Sequence, residues 1–421
     1  MKIDSTFDKL ANELQKILAF PLPKFSPAKK SIKPLSVIKA FAANSASGII
    51  RTYNEDRVSI VINIAQDSNK KCAYWPKCFL FAIYDGHGGT GCSDFLRDNL
   101  HNDIIQSEYF PLNPRLAIQY AINKIEKQFC SYSMEGKMDK SGSCLVLALI
   151  VGKWLTRDNK CYVANVGDSR ALKSSSNGKI IQQITTDHKP MNNIEMKRII
   201  ANGGKIYQAK TNLPVEVPYR VLPGRLSVSR TIGDIEAKYL QFDGNPKVVI
   251  AEPDIFEFEI TDQDDFLFLG CDGIFDCATN EEIINFMWLC KNNVKSIHEQ
   301  AADMVDGVIK LAAYKESYDN LTGVLIAFNG FASKELGRLS DYEESTIDIV
   351  KPTIRINGDD KILKKEANLS AEPQSTRRII QGKPNRRIAM KRGQFPFIFP
   401  RITISRKSKL LFTTKNAKTV S

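Results

Sequence analysis

The chain has 421 residues, 43% of them hydrophobic, which is enough to bury one large core of roughly 250 to 300 residues with arms left over. Its longest apolar runs, such as Leu145 to Val151, fall far short of the roughly 20 residues a bilayer span requires, and the start M-K-I-D-S-T-F-D-K-L carries neither a signal-peptide core nor a glycine for myristoylation, so a cytoplasmic or nuclear protein is expected. The net charge of +12 belongs to an appendage: beyond Glu372 there are thirteen Lys and Arg and no acid, and the remainder is close to neutral.

In chain order, Phe7, Leu10, Leu14, Ile17 and Leu18 recur at helical spacing and predict an amphipathic helix over 7–19, docked on the body. A proline-rich basic linker, P-L-P-K-F-S-P-A-K-K, follows. The body is expected to begin near Ser36 with a strand from Val37 to Ala43. In the stretch I-I-R-T-Y-N-E-D-R, an extended backbone puts Arg51 and Glu55 on one side and Asp56 on the other. Phe79 to Tyr84 has the aromatic and branched content of a strand buried on both faces. It ends in Asp85, Gly86, His87, Gly88 and Gly89, where missing side chains let a ligand approach the backbone. Helices are predicted over Cys92–Leu100 and Pro114–Tyr132, a buried strand over Ser141–Lys153, and its hairpin neighbour over Lys160–Ala171. Asp187 is read as the cap of a helix ending at Gly203, and Lys205–Pro223 as a flap or loop. Strands resume over Val248–Ile260 and again before Asp272; two amphipathic helices, Glu281–Lys291 and Ile297–Lys315, precede a closing strand from Leu321 to Asn329. After Gly330 the periodicity disappears. The expected organisation is an arm over 1–35, a body over 36–330 and a basic tail over 331–421. Strands and helix pairs segregated in this way predict an α+β fold of antiparallel sheets flanked by helices.

Apolar runs that end or begin at an aspartate recur at Asp56, Asp85, Asp168, Asp272 and Asp319. An Asp-Gly dipeptide alone is an ordinary turn, but five such runs are not. If neighbouring strands are antiparallel, the end of one lies beside the start of the next, and these carboxylates converge on one rim. Clustered carboxylates repel unless cations neutralise them, and hard oxygen donors favour magnesium or manganese. The nine cysteines occur singly, with no C-x-x-C pair, and read as buried free thiols.

The blocks R-T-Y-N-E-D-R, F-A-I-Y-D-G-H-G-G, S-G-S-C, V-A-N-V-G-D-S-R-A, D-H-K-P, L-S-V-S-R-T-I-G-D, A-E-P-D-I, G-C-D-G-I-F-D and Y-D-N-L-T, in this order over roughly 38–329, resemble the metal-dependent protein serine/threonine phosphatases of type 2C. The resemblance implies a central β-sandwich of two antiparallel sheets between helices, a two-metal site at one end and a flap over about 187–226. It also implies roles: Asp85 bridging two Mg2+ or Mn2+ ions, the Gly86 carbonyl binding one, Asp272 and Asp319 holding the other, Glu55 and Asp56 holding metal-bound waters, and Asp168 and Asp276 serving a looser third ion. Two cations sharing Asp85 would give a hydroxide nucleophile near neutral pH, Arg51 would hold phosphate oxygens, and His87 would protonate the departing serine or threonine oxygen. His188 is read as organising the flap base. Where the family usually has Thr, Ala and Trp, this chain has Cys144, Ser227 and Phe275, and Glu316 replaces a small residue, but no carboxylate is missing.

Phosphorylated proteins are the expected partners, and a monomer is expected. The tail, rich in Arg and Lys with interleaved F-P-F-I-F-P, reads as a solvated arm, with acidic protein, anionic membrane or nucleic acid as the surfaces its charge suits. The rival reading is a catalytically weak phosphoprotein-binding scaffold targeted by that tail.

Overall fold

The structure is a computed structural model that describes residues 15–17, 20–62, 64–66, 75–152, 159–210 and 217–332. Most of the predicted 7–19 helix and the whole basic tail beyond residue 332 lie outside the described residues.

Fourteen strands are described: β1 (Lys29–Lys30), β2 (Ala40–Ala46), β3 (Arg57–Val61), β4 (Cys78–His87), β5 (Gly142–Gly152), β6 (Asn159–Val166), β7 (Arg170–Ser175), β8 (Ile180–Gln183), β9 (Lys205–Gln208), β10 (Tyr219–Leu222), β11 (Ile232–Gly233), β12 (Asp254–Ile260), β13 (Asp264–Gly270) and β14 (Leu321–Ala327). One sheet runs β1-β2-β14-β13-β7-β8 and the other β12-β6-β5-β4-β3, with β11 on β5 and a separate ribbon of β9 and β10. The strand pairs within the sheets are antiparallel. The principal helices are α1 (Gly91–Gln106), α2 (Pro114–Tyr132), α3 (Asn193–Ala201), α4 (Asn280–Cys290) and α5 (Ile297–Tyr314).

The period-two alternation of β4 explains the layering. Phe79, Phe81 and Ile83 face the other sheet, while Leu80, Ala82 and Tyr84 face α1 and α2. Strand β5 divides its residues likewise, Val146, Ala148 and Ile150 inward against Leu145, Leu147 and Leu149 outward. Helices α4 and α5 cover the far side of the first sheet, so the layers run α-β-β-α. Helix ends follow local chemistry: Pro114 opens α2 behind an Asn113 cap, and Thr279 with Glu282 and Ser296 with Glu299 form capping boxes on α4 and α5. Among the described residues, no helix is long and apolar enough to cross a membrane.

Three expectations need correction. Lys160–Ala171 is not one strand: the chain turns at Gly167, with φ +109°, and passes from β6 in one sheet to β7 in the other. Asp187 caps no helix, because its carboxylate forms a two-point pair with Arg170, and Asn192 caps α3 instead. Lys205–Pro223 contains the β9–β10 ribbon rather than loop alone. The arm over 1–35 also contributes structure: β1 pairs with β2, Ile17 is buried, and the Ala28 amide donates to Asp306 on α5, as does the Asn44 side chain of β2.

The sheets meet where Phe41 of β2 packs edge-on against Phe81 of β4, ring centroids 5.5 Å apart. Phe81→Ala should therefore cost about 3–5 kcal/mol, measured as a lowered urea midpoint with unchanged slope.

Candidate active site

One end of the sandwich collects the acidic residues, and antiparallel pairing is the cause. Strands β4, β6 and β13 finish there, followed by or including Asp85, Asp168 and Asp272; β3 and β14 start there, just after Asp56 and Asp319. Donor atoms of Asp85, Cys271 and Asp272 lie within 4.8 Å of one another. Asp85 Oδ2 accepts from Ser169 Oγ at 3.3 Å and faces the Asp272 amide at 3.4 Å.

Each acid is held from behind. The Glu55 amide donates to Asn320 Oδ1 at 2.8 Å, and its Oε1 accepts the Gly89 amide at 2.6 Å. Asn54 Oδ1 accepts the Asp56 amide, while buried Asp56 Oδ2 has no hydrogen-bond partner. Gly86 must be glycine, since a Cβ there would stand 2.5 Å from the Glu55 carbonyl and 2.8 Å from Ser93 Oγ.

Electrostatics follow from burial and crowding. Burial, and then the neighbouring Asp272, push the Asp85 carboxyl well above the usual range; burial and then Asp168 do the same to Asp272. Burial raises Asp56 to about 6, against a stabilising Thr322 contact and with help from Asp319. Asp168 is also raised to about 6 by burial, although Lys189 opposes the shift. Crowded, buried carboxylates of this kind are costly to keep charged without a neutralising cation, and a set of them with an orphaned buried oxygen suits a hard divalent ion. Cys271 is no ligand: burial and Asp56 raise its thiol, which donates to the Asn320 carbonyl and accepts the Thr322 amide.

The other predicted residues border this cluster. Arg51 is half exposed and pairs through Nη2 with Asp319 Oδ2 at 2.9 Å, not with Glu55. Asp276 lies towards the outside and is gripped by Lys189, whose Nζ is 2.5 Å from it and 3.9 Å from Asp168. His87 Nε2 meets Asp234 Oδ2 at 2.8 Å; burial alone would lower this imidazole, but the Asp234 charge raises it. Sequence reading passed over Asp234 and Lys189 as functional residues, although both stand in quoted blocks, L-S-V-S-R-T-I-G-D and D-H-K-P. His188 accepts the Gly167 amide on Nδ1 at 3.0 Å and faces Asp254 with Nε2, pinning the turn that carries Asp168.

Behind His188, buried Glu195 takes hydrogen bonds from Arg230, Arg198 and Ser229. Burial works against its charge, but these three donors overcome that and hold its carboxyl at about 2. Because the folded value lies below the ordinary value of 4.5, its contribution is complete above about pH 4.5 and is lost as pH falls through about 2. Glu195→Gln should destabilise by about 3–5 kcal/mol at neutral pH and flatten the dependence of the urea midpoint on pH within that window.

Comparison with known proteins points one way. Residues 51–321 match the family described as Protein phosphatase 2C. A probable protein phosphatase 2C of Caenorhabditis elegans is 35% identical over 216 residues, 50% of this chain and 54% of that protein. Protein phosphatase 2C homolog 3 of Schizosaccharomyces pombe is 31% identical over 255 residues, 59% of this chain and 56% of that protein. The chain thus spans little more than half the length of these relatives. Among solved structures, a serine-threonine phosphatase 2C from Toxoplasma gondii shares the fold with a TM-score of 0.57 at 19% identity, over 73% of this chain and 99% of that one.

Proposed function

The chain belongs to the protein phosphatase 2C family, and on that premise we propose that it hydrolyses phosphoserine and phosphothreonine in phosphorylated proteins. The observation that carries the reading is the buried carboxylate rim, in which Asp85 and Asp272 are pushed well above the usual range and Asp56 keeps an unpartnered oxygen. The family is metal-dependent, and the donor set fits magnesium or manganese. Asp85, the Gly86 carbonyl, Asp272 and Asp319 would hold two ions, Glu55 and Asp56 their waters, and Asp168 and Asp276 a third. When bound, such ions supply charge neutralisation and a water acidic enough to attack phosphorus.

The chain's own residues do the rest. Arg51, anchored on Asp319 by one arm of its guanidinium, keeps donors for phosphate oxygens. Removing those donors should weaken substrate binding and leave the metal ligands intact. His87 hands a proton to the serine or threonine oxygen as its bond to phosphorus breaks, a contribution of typically ~10²–10⁴-fold. The tail serves location or partner choice through its charge, not the reaction. We place the protein in the cytoplasm or nucleus and read it as a monomer.

The test is hydrolysis of a phosphothreonine peptide with manganese. Activity should disappear on chelation, fall by at least ~10²-fold in Asp272→Asn, and survive truncation after Pro373. Calorimetric titration of manganese should show a weakened site in the same variant; equal activity and equal manganese binding in Asp272→Asn and wild type would refute the assignment.

A further inference from the structure

The least expected feature beside the site is a buried carboxylate aimed at its imidazole. Asp234 lies in the turn after β11, outside the metal-ligand set, with a side chain only 9% exposed and a left-handed backbone, φ 53°. A non-glycine residue held there is fixed by its surroundings. The Asp234 amide donates to the Ser141 carbonyl at 3.1 Å, and Thr231 Oγ1 donates to Asp234 Oδ2 at 2.9 Å. The turn is braced from below: buried Lys238 donates to the Thr231 carbonyl and to Glu126 on α2, and the other Glu126 oxygen accepts the Gly233 amide. Space is reserved for the pair as well. Gly142 stands opposite His87 in the β4–β5 register, and a Cβ on it would collide with Asp234 Oδ2 and stand 2.5 Å from His87 Nε2.

We propose that Asp234 is a positioning residue for His87: its carboxylate accepts a hydrogen bond from the Nε2–H, fixes the ring's orientation and leaves Nδ1 as the nitrogen that serves the leaving oxygen. The inference rests on the phosphatase reading and adds to it a residue that touches neither substrate nor metal. A carboxylate on the far imidazole nitrogen holds the tautomer and stabilises the imidazolium. In the step it supports, a water oxygen forms the new bond to phosphorus and the bond from phosphorus to the serine or threonine oxygen breaks. The Nδ1 proton passes to that oxygen, and the water's lost proton goes to solvent, from which the imidazole is reprotonated. The phosphate ester and one water thus become an alcohol and inorganic phosphate.

Proton donation matters for a poor leaving group such as threonine and little for a good one such as p-nitrophenolate, a distinction that a merely structural loss does not make. Asn tolerates the left-handed backbone as Asp does, so Asp234→Asn is the variant of choice and retains the fold. On a phosphothreonine peptide its kcat should fall about 10²-fold, whereas on p-nitrophenyl phosphate it should fall by less than about threefold, so that a plot of log kcat against leaving-group pKa steepens. The double variant with His87→Gln should be no slower than His87→Gln alone, since two residues acting as one unit are not additive. Parallel losses on both substrates, no loss on either, or additive losses in the double variant would overturn the inference while leaving the phosphatase reading intact. A wild-type chain inactive on every phosphate ester would overturn both.

Discussion

The rest of the structure depends on carboxylates that do not want to be together. Taking Asp56, Asp85, Asp168 and Asp272 out of water at one rim costs free energy twice, once for desolvation and once for their mutual repulsion, and both effects appear as raised carboxyl groups. A fold tolerates such an arrangement only where the backbone dictates it and a ligand repays it. Here two sheets, all twelve of whose strands are tied by antiparallel pairing, impose the convergence, and the covering helices bury it.

Around that rim the molecule places its compensations in order. Cationic side chains stand outside: Arg51 at Asp319, Lys189 between Asp168 and Asp276, and Arg170 against Asp187 with its guanidinium over the Phe275 ring. Amide and hydroxyl donors from Gly89, Ser93 and Ser169 stand behind, and Asn320 Oδ1 accepts the Glu55 amide. A third shell fixes the turns: His188 pins Gly167, and the Glu126–Lys238 pair pins the loop of Asp234. Buried pairs of this kind contribute little net stability against apolar replacements, and their value lies in holding one geometry.

The arm that precedes the family-matched region also enters this scheme. Asn44 of β2 donates through one nitrogen to both the Ser26 carbonyl and Asp306, so the segment before β2 is tied to α5 and to the strand next to β14. The family match gives no reason to assign residues before 51 a structural part, because the matched residues begin there.

The sequence by itself determined the elements and their chemistry. Alternation in Phe79–Tyr84, the Pro114 start of α2, the capping residues of α4 and α5, and the aspartates at strand ends are all local signals, readable because propensity and period act over a few residues. Tertiary structure alone decided the pairings made across the chain. Nothing near Lys160–Ala171 announces that the two halves join different sheets; β6 pairs with β5 and β12 while β7 pairs with β13 and β8, and the chain turns between them at Gly167, which packs close to Cys144. Likewise Asp187 reads as a helix cap until Arg170 claims it, and Asp234 reads as the end of a motif until folding brings it across 147 positions of sequence to His87. Such contacts depend on which surfaces meet when the layers pack, and no local pattern encodes that.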